Sequence, residues 1–254
     1  MLRYQVYERA RYYPVLFFNL GKNFECPFCR WRFRRLCPAG FDYPILKEAR
    51  VVGASYHLND VCPRCQSNAR ERLLYLYLKQ NTDFFSGNKS VLHIAPEPNL
   101  AKVLQQAPKI LYVSGDLFEA NVMTRFDVMQ MPFRAETFDV IICSHVLEHV
   151  SNDISAMSDL HRVLKFGGWA VLQVPIAMAL VKTREDATAT TEQQRIELFG
   201  QRDHVRLYSE RDYIDRLQSV GFNVRKESFC NQLSKADVVR YALIPEESVF
   251  ICSK

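Results

Sequence analysis

At 254 residues, with 48% hydrophobic and 24% charged side chains, the chain has the composition of a packed protein built as one large domain or as a medium domain with an appendage. That composition excludes a disordered or fibrous class. Charge is uneven: residues 1–80 hold 14 Lys and Arg against six Asp and Glu, a net +8, while the remaining 174 residues carry −3. A basic front on a mildly acidic body suits either an anionic partner or a solubilising bias.

The opening "MLRYQVYERARYYPVLFFNL" has one short apolar run, Val15 to Phe18, far below the roughly 20 residues a bilayer span needs. No signal peptide and no transmembrane segment are expected, and the location is read as cytoplasmic. Arg3, Arg9 and Arg11 among its aromatics suit a docking helix on a protein or membrane surface.

Eight cysteines follow in two groups. Cys143, Cys230 and Cys252 lie in apolar stretches and read as buried thiols. "CPFC" (Cys26, Cys29) and "CPRC" (Cys62, Cys65) instead form two C-x2-C knuckles separated by 32 residues. Each knuckle supplies two thiolates on a tight turn, half of a tetrahedral site, and the pair predicts a structural Zn²⁺ with no open position for chemistry. Cys37 has no partner at knuckle spacing and is the expected non-ligand. Residues 20–66 hold too few apolar side chains for an independent core, so metal is the expected source of their stability. "SNARERLLYLYLKQ" then predicts a helix capped by Ser67, with Leu73, Leu74, Tyr77 and Leu78 on one face.

From residue 90 the pattern alternates. "SVLHIA" (90–95) predicts a buried strand, residues 99–106 a short helix, and "KILYVSGD" (109–116) a second strand. "TRFDV" (124–128) is a weak third and "FDVIICSH" (138–145) a fourth. "NDISAMSDLHRVLKFGG" aligns Ile154, Met157, Leu160 and Leu164 on a helical stripe that Gly167–Gly168 is expected to stop. "WAVLQVP" (169–175) is a fifth strand, 209–222 a capped helix, and "NVRKESF" and "SVFICSK" two closing strands. Near-continuously apolar strands separated by helices predict an α/β fold with a parallel sheet covered on both faces. Ligands in such sheets sit beyond the carboxyl ends of the strands, which makes Ala95-Pro96-Glu97, Gly115-Asp116, Asp127-Val128, Ser144-His145 and Pro175 the informative positions.

Two stretches, "FDVMQMPFRAETFDVIICSHVLEHV" (126–150) and "DLHRVLKFGGWAVLQVP" (159–175), resemble the class I S-adenosylmethionine-dependent methyltransferases, closely those with a methyltransferase type 11 domain. With "CPFC", "CPRC", "LHIAPE" and "FGQRDHVRLY" the chain is also similar to a bacterial subgroup that joins a four-cysteine zinc-binding segment to this domain. The resemblance implies a Rossmann-like seven-stranded methyltransferase sheet over residues 81–254, preceded by a basic zinc-ribbon-like module with its connecting helix over residues 1–80. S-adenosyl-L-methionine is the implied cofactor, beside Zn²⁺. Asp116 and Leu117 would then border the ribose, Asp127 and Val128 the adenine, and Ser144 and His145 the methionine part. The resemblance breaks at the first turn: His93 stands where the family usually has an acid, and Ala95, Glu97 and Asn99 where it has glycines. Ala95 is small, Asn tolerates positive φ, and Glu97 is the expected replacement acid.

Residues 176–209 are long for a strand-to-helix connection and are expected to form a substrate lid. His204, with Asp203 beside it, and His145 are the candidate bases, with His149 a further rival. Three functions follow. The first is methyl transfer to a hydroxyl or amine of a small molecule, sugar or glycan, with the acceptor unknown. The second is RNA methylation, with residues 1–80 and their "CRWRFRRL" run gripping RNA. The third is a non-catalytic zinc-ribbon interaction protein on a degenerate methyltransferase fold.

Overall fold

The computed structural model describes residues 18–254, so the expected docking helix of the opening segment lies outside the described residues. The front of the chain forms short strands: β1 (Leu20–Glu25), β2 (Arg32–Phe33), β3 (Cys37–Ala39), helix α1 (Pro44–Glu48), β4 (Val51–Val52) and β5 (His57–Val61). Helix α2 (Ala69–Asn81) follows. Its N-cap is Asn68, whose side chain accepts from Glu71 N, not Ser67. Ser67 is drawn off to the sulfur cluster, where its hydroxyl lies 3.2 Å from Cys26 Sγ.

The body runs β6 (Lys89–Ile94), α3 (Pro98–Gln106), β7 (Ile110–Asp116), β8 (Thr124–Arg125), β9 (Phe138–Ser144), α4 (Asp153–Val163), β10 (Leu164–Gln173), β11 (Ile176–Ala177) and β12 (Arg184–Glu185). It continues through α5 (Glu192–Phe199), β13 (Arg206–Leu207), α6 (Glu210–Ser219), β14 (Asn223–Glu227), α7 (Lys235–Arg240) and β15 (Val249–Ser253). Among the described residues, seven strands form the central sheet in the order β14-β15-β10-β9-β6-β7-β8. The run from β10 to β8 is parallel, and β15 is antiparallel to both β10 and β14. The strand order reverses around β6, which pairs with β9 on one side and β7 on the other; in sheets of this kind ligands sit beyond the carboxyl ends at such a reversal.

The two sheet faces bury separate cores. One holds Met157 and Leu160 of α4 with Tyr213 and Leu217 of α6. The other holds Leu73, Leu74, Tyr77 and Leu78 of α2 with Leu100 and Leu104 of α3, so α2 is a covering helix of the main sheet.

Two local expectations change. Helix α4 stops at Val163, before Gly167–Gly168, and β10 runs through both glycines. The register to β9 shifts between Leu164 and Trp169, Gly167 takes φ +76°, and a Cβ on Gly168 would lie 2.8 Å from Asp139 O. The glycines therefore accommodate an irregularity in a strand instead of ending a helix. Ile154, placed on the buried stripe by sequence, is exposed, and Ala156 and Val163 take the buried positions with Met157 and Leu160.

Helix α3 is capped from another element. Glu71 of α2 accepts from Asn99 N (2.8 Å), Leu100 N (2.9 Å) and Asn99 Nδ2 (3.1 Å). Burial, reinforced by the charge of nearby Glu97, raises the Glu71 carboxyl to about 7 against the pull of these bonds. An acid raised above its ordinary 4.5 binds its proton more tightly in the fold. Its stabilisation is full below the unfolded value and lost as pH rises through about 7. Glu71→Gln should abolish this titration. The stability of the variant minus that of wild type should rise by on the order of 1–3 kcal/mol between about pH 5 and about pH 8, read by urea unfolding at each pH. A difference that stays flat across that range would show that Glu71 is ionised throughout.

Candidate active site

The turn after β6 is built without glycine. Ala95 carries the left-handed conformation at φ +48°, and its N–H donates to Gly115 O at 2.9 Å. Asn99, the other residue expected to tolerate positive φ, lies inside α3. A non-glycine residue in this region is strained and is kept by its surroundings. Here the clamp is a buried network: His93 Nε2 meets Glu97 Oε2 at 2.8 Å, and its Nδ1 meets the Tyr112 hydroxyl at 3.1 Å. Burial would raise the Glu97 carboxyl, but the His93 hydrogen bond and the charges of His93 and Arg70 outweigh it and hold it below the usual value. Glu97 is thus an anion at neutral pH. Its Oε1 accepts no hydrogen bond and lies 3.9 Å from Arg70 Nε.

At the end of β7, Asp116 Oδ1 accepts from Phe118 N (2.7 Å) and Glu119 N (2.9 Å), folding the following turn through that one oxygen. Gly115 is required beside it, because a Cβ would meet the Phe126 ring at 2.0 Å. Leu117, Phe118 and Met123 flank Asp116 as exposed apolar side chains. Asp127 repeats the device, with Oδ1 accepting from Met129 N at 2.8 Å, while the Val128 side chain enters the core.

The end of β9 is more crowded. Ser144 is buried and its hydroxyl has no partner. His145 has φ +56°, and its Nε2 is also buried without a partner. A Cβ on Gly53 would fall 3.5 Å from that nitrogen, so the loop after β4 covers His145. His145 Nδ1 lies 3.3 Å from Glu148 Oε1 without a hydrogen bond. Burial first, then the charges of Arg70, His204 and His149, hold the His145 ring well below its ordinary value.

The lid comes to the same place. Val205 N donates to Glu148 O at 3.0 Å. Arg206 donates to Leu147 O, Val150 O and Ser151 O and to Glu185 Oε1. Tyr208 donates to Asp153 Oδ2 at 2.7 Å. His204 is buried beneath this latch, its ring edge-on to His149 at 4.6 Å between centroids, and burial holds it well below its ordinary value. Asp203 faces His149. Its Oδ2 lies 3.6 Å from His149 Nδ1, and its carbonyl 3.2 Å from the same atom. The front segment roofs the lid: β4 pairs with β11, and Ile45, Leu46, Val51 and Ala54 share a core with Ala177, Ala189, Phe199 and Leu207. Sequence reasoning missed this roof and the Glu71 cap, for both join residues at least 28 positions apart with no local signal.

The four knuckle cysteines meet as expected. Cys26 and Cys65 Sγ are 3.4 Å apart, Cys29 and Cys62 Sγ 3.7 Å, and all four lie within 4.8 Å of one another. Tetrahedral zinc with bonds of about 2.3 Å needs sulfurs roughly 3.8 Å apart. Hydrogen bonds among the thiols pull Cys26 down and push Cys62 and Cys65 up. Four thiols so placed ionise together only around a cation. Cys37 stays outside the cluster.

Comparison with known proteins agrees with this architecture. A family model described as a methyltransferase domain matches residues 40–227. Over 122 residues the chain is 25% identical to demethylmenaquinone methyltransferase of Chlamydia felis, covering 47% of this chain and 44% of that one. Over 56 residues it is 36% identical to an uncharacterized protein of Methanocaldococcus jannaschii, covering 22% and 24%. The match thus spans less than half the length of each curated relative. An S-adenosylmethionine-dependent methyltransferase from Mesorhizobium loti has a similar fold, with a TM-score of 0.50 at 16% identity over 72% of this chain and 98% of that one.

Arg206→Met would remove the guanidinium from three loop carbonyls and from Glu185, leaving Leu147 O with the Tyr208 hydroxyl and Glu185 with Arg216. It should destabilise the protein by about 3 kcal/mol and speed proteolytic nicking within residues 176–209, whereas Tyr208→Phe should cost about 1 kcal/mol. Urea unfolding with timed proteolysis measures both.

Proposed function

The chain belongs to the methyltransferase-domain family, and from that premise we propose that it transfers the methyl group of S-adenosyl-L-methionine to a hydroxyl or amine of a small molecule, sugar or glycan. The observation that carries this reading is the set of acceptor atoms left unused at the carboxyl ends of adjacent strands: Glu97 Oε1, Ser144 Oγ and His145 Nε2, all buried and unpartnered, beside Asp116 and Asp127, which use only Oδ1 for their own turns.

These groups fit the cofactor. A ribose diol offers two donors to Asp116 Oδ2, and the adenine amine one to Asp127 Oδ2. The exposed Leu117 and Phe118 offer apolar cover for the ribose and base. The ionised Glu97 suits the cationic amino group, taking the place of the acid absent at His93. When bound, the cofactor supplies an activated methyl group, so the protein chiefly has to position the acceptor and exclude water. Of the two candidate bases, His145 stands at the carboxyl end of β9, where its unpartnered Nε2 under Gly53 can take a proton from an acceptor hydroxyl, while His204 comes from the lid and packs against His149. In this reading residues 81–254 carry the chemistry with 176–209 as lid, and residues 1–80 supply a zinc-stabilised module whose β4 segment roofs the site.

Small acceptors are favoured over RNA. In "CRWRFRRL" the Phe33 ring is fully buried and Arg64 lies over Trp31 at 4.2 Å, so two of the aromatics needed for base stacking are engaged. A non-catalytic role is disfavoured by the acceptor atoms retained at the strand ends.

Calorimetric titration with S-adenosylmethionine and S-adenosylhomocysteine tests the cofactor. Asp116→Ala should weaken binding by roughly ten- to hundredfold, the loss of hydrogen bonds to a charged acceptor, and Glu97→Gln should weaken it in the same direction. Absence of binding to the folded wild type would overturn the enzyme reading. For the module, Cys62→Ser should lose the bound zinc and the ordered front segment, while Cys37→Ser keeps one zinc per chain, measured by metal analysis with circular dichroism.

A further inference from the structure

The loop after β9 and the end of the lid assemble a second set of metal-ligating groups. Glu148, His149 and His204 each offer a ligand atom within 4.8 Å of the other two. Glu148 and His204 are each 1% exposed. Neither carboxylate oxygen of Glu148 has a hydrogen-bond partner, and neither does His204 Nδ1. Buried polar atoms are almost always partnered, and a buried acid left bare is costly unless an ion or water completes it.

The third member is oriented in the way metal-binding imidazoles usually are. His149 Nδ1 donates to Asp203 O at 3.2 Å, which leaves Nε2 to face Glu148 Oε1 at 3.9 Å. A ring nitrogen tied to a backbone carbonyl fixes both tautomer and ring direction, freeing the other nitrogen for a metal. His149 is also the partly exposed member, with 29% of its side chain accessible, and so provides an entry path. The Arg206 and Tyr208 latch holds the two halves of the set together, since His204 arrives on the lid and the other two on the loop.

We propose that Glu148, His149 and His204 form a site for a divalent first-row cation, distinct from the four-cysteine cluster. Two imidazoles and one carboxylate leave coordination positions open. Resting on the methyl-transfer reading, those positions would take oxygens of the acceptor, which points to a vicinal diol or a hydroxy acid as its class. His145 Nδ1, 3.3 Å from Glu148 Oε1, borders this set.

The test reads the ion directly. Full-length protein dialysed to one Zn²⁺ per chain, which the four thiolates hold against harder ions, is titrated with Mn²⁺ while the free ion is counted by electron paramagnetic resonance. Saturable binding of one Mn²⁺ per chain is expected, weakened at least tenfold in His204→Ala and in His149→Gln. His149→Gln is the milder change and guards against a folding defect, and unaltered zinc content and circular dichroism confirm the fold. Wild type that leaves all the Mn²⁺ free, and that shows no saturable Co²⁺ absorption either, overturns the site. So do folded variants that bind as wild type does. Because neither readout involves S-adenosylmethionine, failure here leaves the cofactor titration untouched, and the reverse holds as well.

Discussion

The buried carboxylate of Glu71 is the constraint on which the site depends. A helix begins with N–H groups that have no intrahelical acceptor, and α3 begins at the turn where a cofactor would lie. Pro98 removes one donor, and Glu71 takes those of Asn99 and Leu100 from the neighbouring helix. Glu97, at the N-cap position, makes no capping bond and is left to pair with His93. The turn can then dispense with its glycines, since one residue, Ala95, carries the positive φ. The cost is two carboxylates in one apolar region, and their neighbours push them apart: Glu71 upward through burial, Glu97 downward through His93 and Arg70.

The same helix ties this turn to the sulfur cluster. Ser67 lies beside Cys26 and Cys65, and its carbonyl accepts from Cys62 N and from Arg72. Arg72, fully buried, also donates to Tyr241 O and Ala242 O. Glu25 of the module pairs with Arg240 at 2.7 Å. The cysteine segment is therefore docked on the connection between β14 and β15 by charge-assisted hydrogen bonds, of which those of the buried Arg72 are screened little by water. Its continuation through β4 reaches the opposite side of the site and covers His145.

The lid is held by polar rather than apolar contacts where it meets the loop after β9. Arg206 has a planar fork of donors, and three carbonyls of a tight loop match it in a way a lysine would not. Arg216 adds a second guanidinium on Asp153 and Glu185. This network explains why "FGQRDHVRLY" combines so many polar residues with burial.

Much of this architecture is legible in the residues. Near-continuous apolar runs at Lys89–Ile94, Ile110–Asp116 and Phe138–Ser144 mark strands of the parallel sheet, and the paired C-x2-C knuckles mark a four-sulfur cluster 32 residues apart in sequence, because both signals come from local spacing and side-chain type. Asp116 ends β7 as the strand pattern predicts, whereas the strand expected over 124–128 stops at Arg125 and leaves Asp127 two residues beyond it. Local pattern misled at Gly167–Gly168, where a glycine pair reads as a helix stop but serves a strand irregularity, and at Ser67, whose capping chemistry is claimed by sulfur. What only the tertiary structure decided is which polar groups meet: Glu71 with α3, Arg206 with the loop after β9, Asp203 with His149, and Gly53 over His145. Each joins groups by the path of the chain in space, and hydrogen-bond geometry, unlike hydrophobic periodicity, leaves no period in the sequence to read.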